Sequence, residues 1–470
     1  MNCNINKFSM TAFLKTKFII LAILSFGMFG LTKSSLAATT ATCDGSVSDC
    51  QAKINAASDG DTINIPAGTF TWASNVGWTN KNINLIGAGI GQTVITTAAY
   101  PAGGKGHAIY ITATDPTKAA FRISGMTFQG TNSDVDLIDI TSYYATSAIK
   151  GWRIDHVRFN YSTDQVHYIG IRGVSWGLID HCTFDAVGNI GVNLEGDSSG
   201  DTLLGDLYWT HSLNLGTDEA VYIEDCTFNY NAASSSAFNS GQGGSVVFRY
   251  NTINGTYFQT HTPNSNKRGG MKYEVYNNVF TGTCAICNGG KFLWPFWVRS
   301  GTGVVFNNSI TNYQITQLTM DNQRTFYNDG APLSLCDGTH PTYDGNVGTG
   351  NQVGWPCIDQ IGRTGLYPNQ TSAPLYAWMN GAQSDCATTQ ATCTDTVKLT
   401  LNNDATNPRP WMSDHIKTTG DVNPHPGNVV DYVNNGTTPM PGYTPYTYPH
   451  PLQGNSDTTP PAAPTGLAVN

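Results

Sequence analysis

The chain has 470 residues, of which 24 are Lys or Arg and 33 are Asp or Glu, so its formal net charge is −9. This acidic balance and the absence of basic runs argue against a nucleic-acid-binding protein. Charged residues make up only 12% of the chain and there are 50 glycines. Such a composition is typical of a β-rich secreted protein with many turns.

The first 37 residues have the pattern of a secretory signal peptide. Lysines precede an apolar run from Phe18 to about Leu31, and Ser35 and Ala37 form an S-x-A cleavage pattern. The run is shorter than the ~20 apolar residues that a membrane span needs. We therefore expect a secreted or periplasmic protein without a membrane anchor. The predicted organisation is a signal peptide at 1–37, one domain at 38–454 and a Pro-rich tail at 455–470.

Removal of the leader takes away Cys3 and leaves ten of the 11 cysteines. Four pairs are close in sequence, and each would close a short loop in an oxidising compartment. We expect four disulfides: Cys43–Cys50, Cys284–Cys287, Cys336–Cys357 and Cys386–Cys393. We expect Cys182 and Cys226 to be adjacent and buried, whether bonded or not.

A short apolar motif recurs through the middle of the chain, as in "IDHVRF", "IDHCTF" and "IEDCTF". Seven such units close on an aromatic or aliphatic anchor residue: Phe128, Phe159, Phe184, Phe228, Ile253, Phe280 and Ile310. Short strands broken by a turn and repeated in this way predict a solenoid in which equivalent residues of successive coils stack into ladders.

The repeat resembles the right-handed parallel β-helix of the pectin-lyase-like superfamily. The stretch "ASDGDTINIPAGTFTW" at 57–72 is similar to that family's entry into the first coil, after a capping helix near "VSDCQAKINAA". The stretches "GGSVVFRYNTI", "RGGMKYEVYNN" and "YTPYTYPHPL" are similar to secreted bacterial proteins of this kind. We therefore predict an all-β fold, a right-handed parallel β-helix with a short N-terminal capping helix.

The repeated Asp–His motif that first suggests a metal or catalytic site is interpreted as architecture. Asp155, Asp180 and Glu224 occupy one outward column of the repeat. Carboxylates stacked this closely repel each other unless they are neutralised. Arg153 and Arg249 could neutralise them, and this is the favoured interpretation. A bound calcium ion is the alternative, since it prefers oxygen-rich clusters.

Each unit also carries a strand after its anchor, and the resemblance implies that these strands form the floor of a polysaccharide groove. Alternation places the polar residues of these strands in two outward columns. The predicted substrate-binding residues are Tyr168, Asp139, Asn193, Glu195, Gln259, Trp294, Trp297 and Arg299.

The basic residues near this groove favour a lyase that cleaves a uronate-containing polysaccharide by β-elimination. Such an enzyme needs a cation to stabilise the anion that forms and a base to remove a proton. Arg172, Arg268 or Arg299 would supply the cation. His261 or Lys272 would supply the base.

Two alternatives remain open from the sequence. A glycoside hydrolase would need paired carboxylates. Asp139 and Glu195, about 10 Å apart by stacking, or Asp218 and Glu219 on a long loop, are the candidates. A non-catalytic carbohydrate-binding or adhesive protein would need no chemistry at all. In each case the expected partner is a polysaccharide and the expected state is a monomer.

Overall fold

The computed structural model describes residues 37–97, 106–130, 136–143, 147–161, 167–186, 190–196, 204–230, 236–261, 267–314, 318–320, 358–367, 369–381, 398–399, 431–434 and 436–454. By internal contacts the chain divides into Met1–Ala37 and Ala38–Asn470, and the elements of the fold belong to the second unit. The predicted signal peptide and Pro-rich tail lie outside the described residues. Within those ranges, no helix has the length and apolar character needed to cross a membrane.

The helices are few and short. The α-helix Val47–Ala56 begins at Ser46, whose hydroxyl accepts a hydrogen bond from the Asp49 N–H, and it covers the start of the coil stack, as predicted. A second α-helix of one turn spans Asp206–Trp209. The 3₁₀ turns are Pro116–Lys118, Asn288–Gly290 and Pro451–Gln453.

The largest sheet, here called the ladder sheet, has 19 strands. In chain order they are Thr40–Thr42, Thr62–Ile65, Gly68–Trp72, Asn84–Gly87, Thr93–Thr97, Arg122–Gly130, Ile149–Tyr161, Ser175–Asp180, Thr183–Ala186, Val221–Glu224, Thr227–Tyr230, Ser245–Arg249, Thr252–Asn254, Lys272–Tyr276, Val279–Thr281, Thr302–Phe306, Ser309–Thr311, Leu375–Trp378 and Tyr432–Asn434. All their pairings are parallel, and the two long strands join two parallel rows into one sheet.

The second sheet, here called the groove sheet, has ten strands that are also all parallel. They are Val76–Thr79, Ile109–Thr112, Ile138–Thr141, His167–Arg172, Ile190–Glu195, Ser236–Gly241, Tyr257–Thr260, Phe296–Val298, Leu318–Met320 and Lys398–Leu399. A small antiparallel pair, Arg363–Thr364 with Thr371–Ser372, lies apart from both sheets.

Each coil runs through both rows of the ladder sheet and then through the groove sheet before the next coil begins. Parallel pairing between successive coils gives the parallel β-helix that the repeat predicted. The strands Leu375–Trp378 and Tyr432–Asn434 continue the stack, so the irregular C-terminal region does contain the last coils.

The seven anchors stack in one column, as the repeat predicted. The register pairs Phe128 with Phe159, then Phe184, Phe228, Ile253, Phe280 and Ile310 in turn. The rings of Phe159, Phe184 and Phe228 stack with centroids 4.9 and 4.5 Å apart. Stacked aromatic pairs of this kind add stability beyond the area that they bury.

An amide ladder replaces apolar packing at the turn between the two rows. Asn251 donates to the Asn278 side chain at 3.1 Å, Asn278 donates to Asn308 at 2.9 Å, and Asn308 donates to Asn380 at 2.8 Å. In the earlier coils the same column holds Cys182 and Cys226, which are adjacent, buried and unbonded to each other as a disulfide. This outcome confirms the predicted proximity of the two cysteines.

Two of the four predicted disulfides fall within the described residues, and both are present. Cys43–Cys50 pins the entry to the capping helix and Cys284–Cys287 closes a short loop beside the groove sheet. The predicted pairs Cys336–Cys357 and Cys386–Cys393 lie outside the described residues.

The described end of the chain crosses the ladder sheet as a strap, defined as residues 440–454. Arg249 donates to the carbonyls of Tyr446 and Thr447, and the backbone N–H of His450 donates to Glu224 at 2.8 Å. The strap therefore covers the charged ladder and shields it from solvent.

Candidate functional site

The outward columns of the groove sheet have the register that the sequence predicted, with one addition. One column runs Tyr110, Asp139, Gly170, Asn193, Asn239, Gln259 and Trp297. The neighbouring column runs Thr112, Thr141, Arg172, Glu195 and Gly241. The sequence interpretation missed the strand Ser236–Gly241, which contributes Asn239 and Gly241.

The missed strand places a glycine between Glu195 and His261. Gly241 pairs with Glu195 on one side. A Cβ built on Gly241 would lie 3.5 Å from the His261 Cβ on the other side. Because Gly241 has no side chain, the space between the carboxylate and the imidazole stays open.

That opening belongs to a cleft of about 310 Å³ on the groove sheet. Asn193, Asn239 and Gln259 are among its lining residues, and His167, Glu195, His261 and Lys267 also line it. A concave site of this size, lined by several polar groups, has the dimensions of a small-ligand or saccharide site.

Two buried acceptors in this cleft receive no hydrogen bond from the described residues. These are the Asn239 Oδ1 and the Gln242 Oε1 atoms. The two residues are only 6% and 3% exposed, and both line the cleft. An unsatisfied buried acceptor costs about 1–3 kcal/mol, so the site is suited to a ligand or solvent that brings hydroxyl donors.

The other end of the cleft carries a charged cluster that the sequence analysis missed in part. Arg172 donates to Asp139 at 2.6 Å and to Asp136 at 2.5 Å. The Nδ1 of His167 lies 2.5 Å from the other Asp136 oxygen. Because an ionised carboxylate only accepts, Nδ1 of His167 carries the proton in this bond. His107 Nδ1 lies 3.6 Å from Asp139.

The surroundings of Asp139 and Asp136 shift the pKa values of these two residues in opposite directions. Burial and the negative charge of Asp136 outweigh the nearby Arg172 charge and raise the pKa of Asp139 above its ordinary value. Burial alone would also raise the pKa of Asp136. The hydrogen bonds and charges of His167 and Arg172 outweigh this effect of burial and hold the pKa of Asp136 below its ordinary value.

A glycine makes room for this cluster. A Cβ on Gly170 would lie 2.3 Å from the Asp136 Cγ. The Asp136 carboxylate therefore occupies the place where the column would otherwise carry a side chain. Asp136, His107 and His167 stand before or at the start of their strands, so the alternation of the strands gave no signal for them.

Aromatic rings extend the floor beyond Gln259. Trp297 is the next member of that column, and its ring lies 5.1 Å from that of Trp294. The Arg299 guanidinium lies 4.0 Å from the Trp297 ring centroid and donates to Gln259 at 2.8 Å. Trp294, Trp297 and Arg299 therefore lie together beside the cleft, and their role in substrate binding stays a prediction.

Two predicted site residues are placed elsewhere, and their expected positions at the groove surface are wrong. Tyr168 has no exposed surface, and its ring packs in the core against Phe159 and Tyr161. Lys272 belongs to the ladder sheet and is 1% exposed; burial lowers its pKa, and it donates to the Asn214 carbonyl.

Arg268 reaches the lining of the cleft, but its charge is already compensated. It forms a bidentate ion pair with Asp359, with contacts of 2.6 and 2.9 Å, and a second ion pair with Asp206 at 2.6 Å. Its guanidinium also stacks on Trp209. The Arg268 side chain has no exposed surface, so this buried and paired guanidinium holds structure together and is not presented to a substrate.

Arg172 and His261 do not converge on one point. Glu195 and Gly241 separate them in their column, so they stand three coil spacings, about 14 Å, apart.

The loop with Asp218 and Glu219 also lies away from the groove, because Gly216 next to it donates to Glu274 of the ladder sheet. The expectation that this loop supplies groove carboxylates is therefore wrong.

The carboxylate ladder has the structural partners that the favoured interpretation required. Arg153 holds Asp180 with contacts of 2.8 and 2.6 Å. Arg122 donates to Asp155 at 2.6 Å, and Arg249 donates to Glu224 at 2.6 Å. A calcium ion at Asp155, Asp180 or Glu224 would have to displace these guanidinium groups, so we propose no ion there.

No protein-family model matches the chain, and no curated protein matches it by sequence. Among solved structures it is similar to an alginate lyase from Paenibacillus sp. str. FPU-7, with 15% identity, a TM-score of 0.40 and coverage of 61% of this chain and 99% of that one. It is also similar to the catalytic domain of a GH87 alpha-1,3-glucanase, with 12% identity, a TM-score of 0.40 and coverage of 73% and 65%. A third similar structure is a PL6 family alginate lyase, with 16% identity, a TM-score of 0.34 and coverage of 61% and 41%.

Proposed function

We propose that the protein is a secreted lyase that binds an acidic polysaccharide in the cleft of the groove sheet and cleaves it by β-elimination. The observation that carries the proposal is the pair of unsatisfied acceptors, Asn239 Oδ1 and Gln242 Oε1, in a cleft that also holds His261 and Lys267. Sugar hydroxyls are suitable donors for these two acceptors.

Lys267 is the best-placed cation for a uronate carboxylate. It is half-buried in the lining of the cleft, whereas Arg172 is held by Asp136 and Asp139. A cation at the sugar carboxylate stabilises the negative charge that develops there when the neighbouring C5 proton leaves.

His261 is the candidate base, as the sequence suggested. Its backbone is fixed at both ends, because its N–H donates to the Ser240 carbonyl and its carbonyl accepts from Ser300 Oγ at 2.6 Å. The proton moves from C5 to the imidazole, and the C–H electron pair becomes the C4–C5 double bond. The C4–O bond then breaks with its electrons going to the leaving oxygen, which takes a proton from water.

Hydrolysis is the second candidate, because Asp136 and Asp139 bring one oxygen each within 4.8 Å of the other. Paired carboxylates about 5 Å apart are typical of retaining glycosidases. However, the two residues are 1% and 2% exposed and both are bound by Arg172. Their burial away from the cleft surface favours the lyase.

A panel of acidic and neutral polysaccharides tests the proposed reaction. Elimination creates an unsaturated uronate that absorbs in the ultraviolet and also a new reducing end. We expect both signals, in equal amounts, with at least one acidic polymer. Reducing ends without ultraviolet absorbance would show the hydrolase, and neither signal with any polymer would contradict an enzymatic function.

A further inference from the structure

The cleft joins two ends with opposite electrostatic character. His167 stands at the start of its strand, and His261 follows the end of a strand three coils further along. Since coils are about 4.8 Å apart, the two imidazoles face different sugar units of a bound chain. The two ends can therefore select different units.

The His261 end is cationic. Lys267 lines the cleft and stands three residues before Gly270, whose N–H donates to the His261 carbonyl, and Arg299 lies nearby on Trp297. Arg268 with its two partners, Asp359 and Asp206, has a formal sum of −1, so with Lys267 and Arg299 this end keeps a formal sum of +1. This end is suited to a sugar that carries a carboxylate.

The His167 end is anionic at neutral pH. Three carboxylates, those of Asp136, Asp139 and Glu195, face one guanidinium, that of Arg172. With His107 and His167 counted as uncharged, the formal sum is −2, from three negative charges and one positive charge, and protonation of Asp139 would make it −1. The geometry fixes this charge in place, because Gly170 leaves the space that the Asp136 carboxylate fills. A second carboxylate from a substrate would be repelled here.

Hydrogen bonding at this end instead suits uncharged sugar hydroxyls. Nδ1 of His167 donates to Asp136, so Nε2 is the ring nitrogen left to hydrogen-bond with a sugar hydroxyl. Asn193 and the unsatisfied Asn239 Oδ1 line the same stretch of the cleft. The Asn239 amide is oriented by its bond to Asn193 Oδ1 at 2.8 Å.

We propose that the substrate is a mixed polysaccharide, with a uronate bound at the Lys267–His261 end and an uncharged sugar bound over the Asp136–His167 end. This inference rests on the proposed function and narrows its substrate class. A polymer made only of uronates would place a carboxylate next to Glu195, close to the buried charges of Asp136 and Asp139, and would be disfavoured.

The test compares two mixed polymers with two homopolymers of uronates. In the mixed polymers, hyaluronan and gellan, uncharged sugars separate the uronates. The homopolymers are polymannuronate and polygalacturonate. We expect kcat/KM for the better mixed polymer to exceed that for either homopolymer by about tenfold or more. Glu195→Gln should reduce this preference by about threefold to tenfold, because it removes one repelling charge.

Asp185→Asn is the matched control for Glu195→Gln. The Asp185 side chain is 24% exposed and paired with Arg158, and that of Glu195 is 26% exposed and near Arg172. Asp185 belongs to the ladder sheet, so its variant should keep the wild-type preference. Equal or faster cleavage of a homopolymer by the wild type would overturn the inference, as would an unchanged preference in Glu195→Gln.

A binding measurement separates this inference from the proposed reaction. Affinity electrophoresis in gels that contain each of the four polymers should show retardation by a mixed polymer and less by the homopolymers. Retardation without any unsaturated product would contradict the lyase and support the mixed substrate. Equal retardation by all four, or stronger retardation by the homopolymers, would overturn the mixed substrate even if elimination is observed.

Discussion

Replacing Asp180 with Asn should destabilise the fold strongly and leave the chemistry intact. Asp180 has no exposed surface, and Arg153 holds both of its oxygens. The substitution leaves the buried Arg153 charge with weaker partners, a loss that typically costs 3–5 kcal/mol. Arg153 keeps Asp155 at 3.4 Å and the Gln453 carbonyl at 3.0 Å, so we expect about 2–4 kcal/mol.

Urea unfolding of the wild type, Asp180→Asn and Asp185→Asn measures this effect. Asp185 pairs with Arg158 in a half-exposed position, so its loss should cost no more than about 1 kcal/mol. Adding Arg153→Met to Asp180→Asn should recover part of the loss, because no unpaired charge then remains buried. Equal costs for the two single variants would refute the reasoning, as would loss of activity in folded Asp180→Asn.

Two further predictions concern pH and backbone space. Burial, helped by the charges of Arg249 and Arg153, lowers the pKa of His450 to about 3. The contribution of His450 to the free energy of unfolding is therefore complete above pH ~6.5, the ordinary pKa of histidine. It is lost as pH falls toward 3, by at most about 1.4 kcal/mol per pH unit. His450→Gln should flatten the fall in unfolding free energy between pH 7 and 5, and a slope identical to the wild type would contradict this. Gly170→Ala should displace Asp136 and reduce kcat/KM about tenfold or more, whereas unchanged kinetics would show that the cluster does not shape the site.

The coil register was predictable because every coil repeats the same constraint. Phe159, Phe184 and Phe228 occupy equivalent positions and form one buried column. Stacking parallel strands turns an approximate repeat in sequence into contact in space. The structural role of the ladder carboxylates Asp180 and Glu224 was also predictable, since Arg153 and Arg249 stand in or beside the carboxylate column and pair with them.

The site was less predictable because its residues do not follow strand alternation. The strand "SAFNSG" at 236–241 has little apolar character, so Asn239 and Gly241 were missed. Asp136 and His167 lie where the chain enters its strands, and only the fold brings them together. The sequence placed Lys272 at the groove because it is close to other basic residues in the chain. Its strand instead pairs with Ser245–Arg249 in the ladder sheet.

The most direct test of the central claim compares the rate of unsaturated-product formation in the wild type, His261→Ala and His181→Ala. His181 is a matched control, because it is partly buried like His261 but follows a strand of the ladder sheet, where its Nδ1 lies 2.8 Å from a carboxylate oxygen of Asp180. We predict that His261→Ala loses about 10²–10⁴-fold in rate, while His181→Ala stays near the wild-type rate with both variants folded. Activity that survives His261→Ala but disappears with His181→Ala would place the reaction at the ladder and contradict the account.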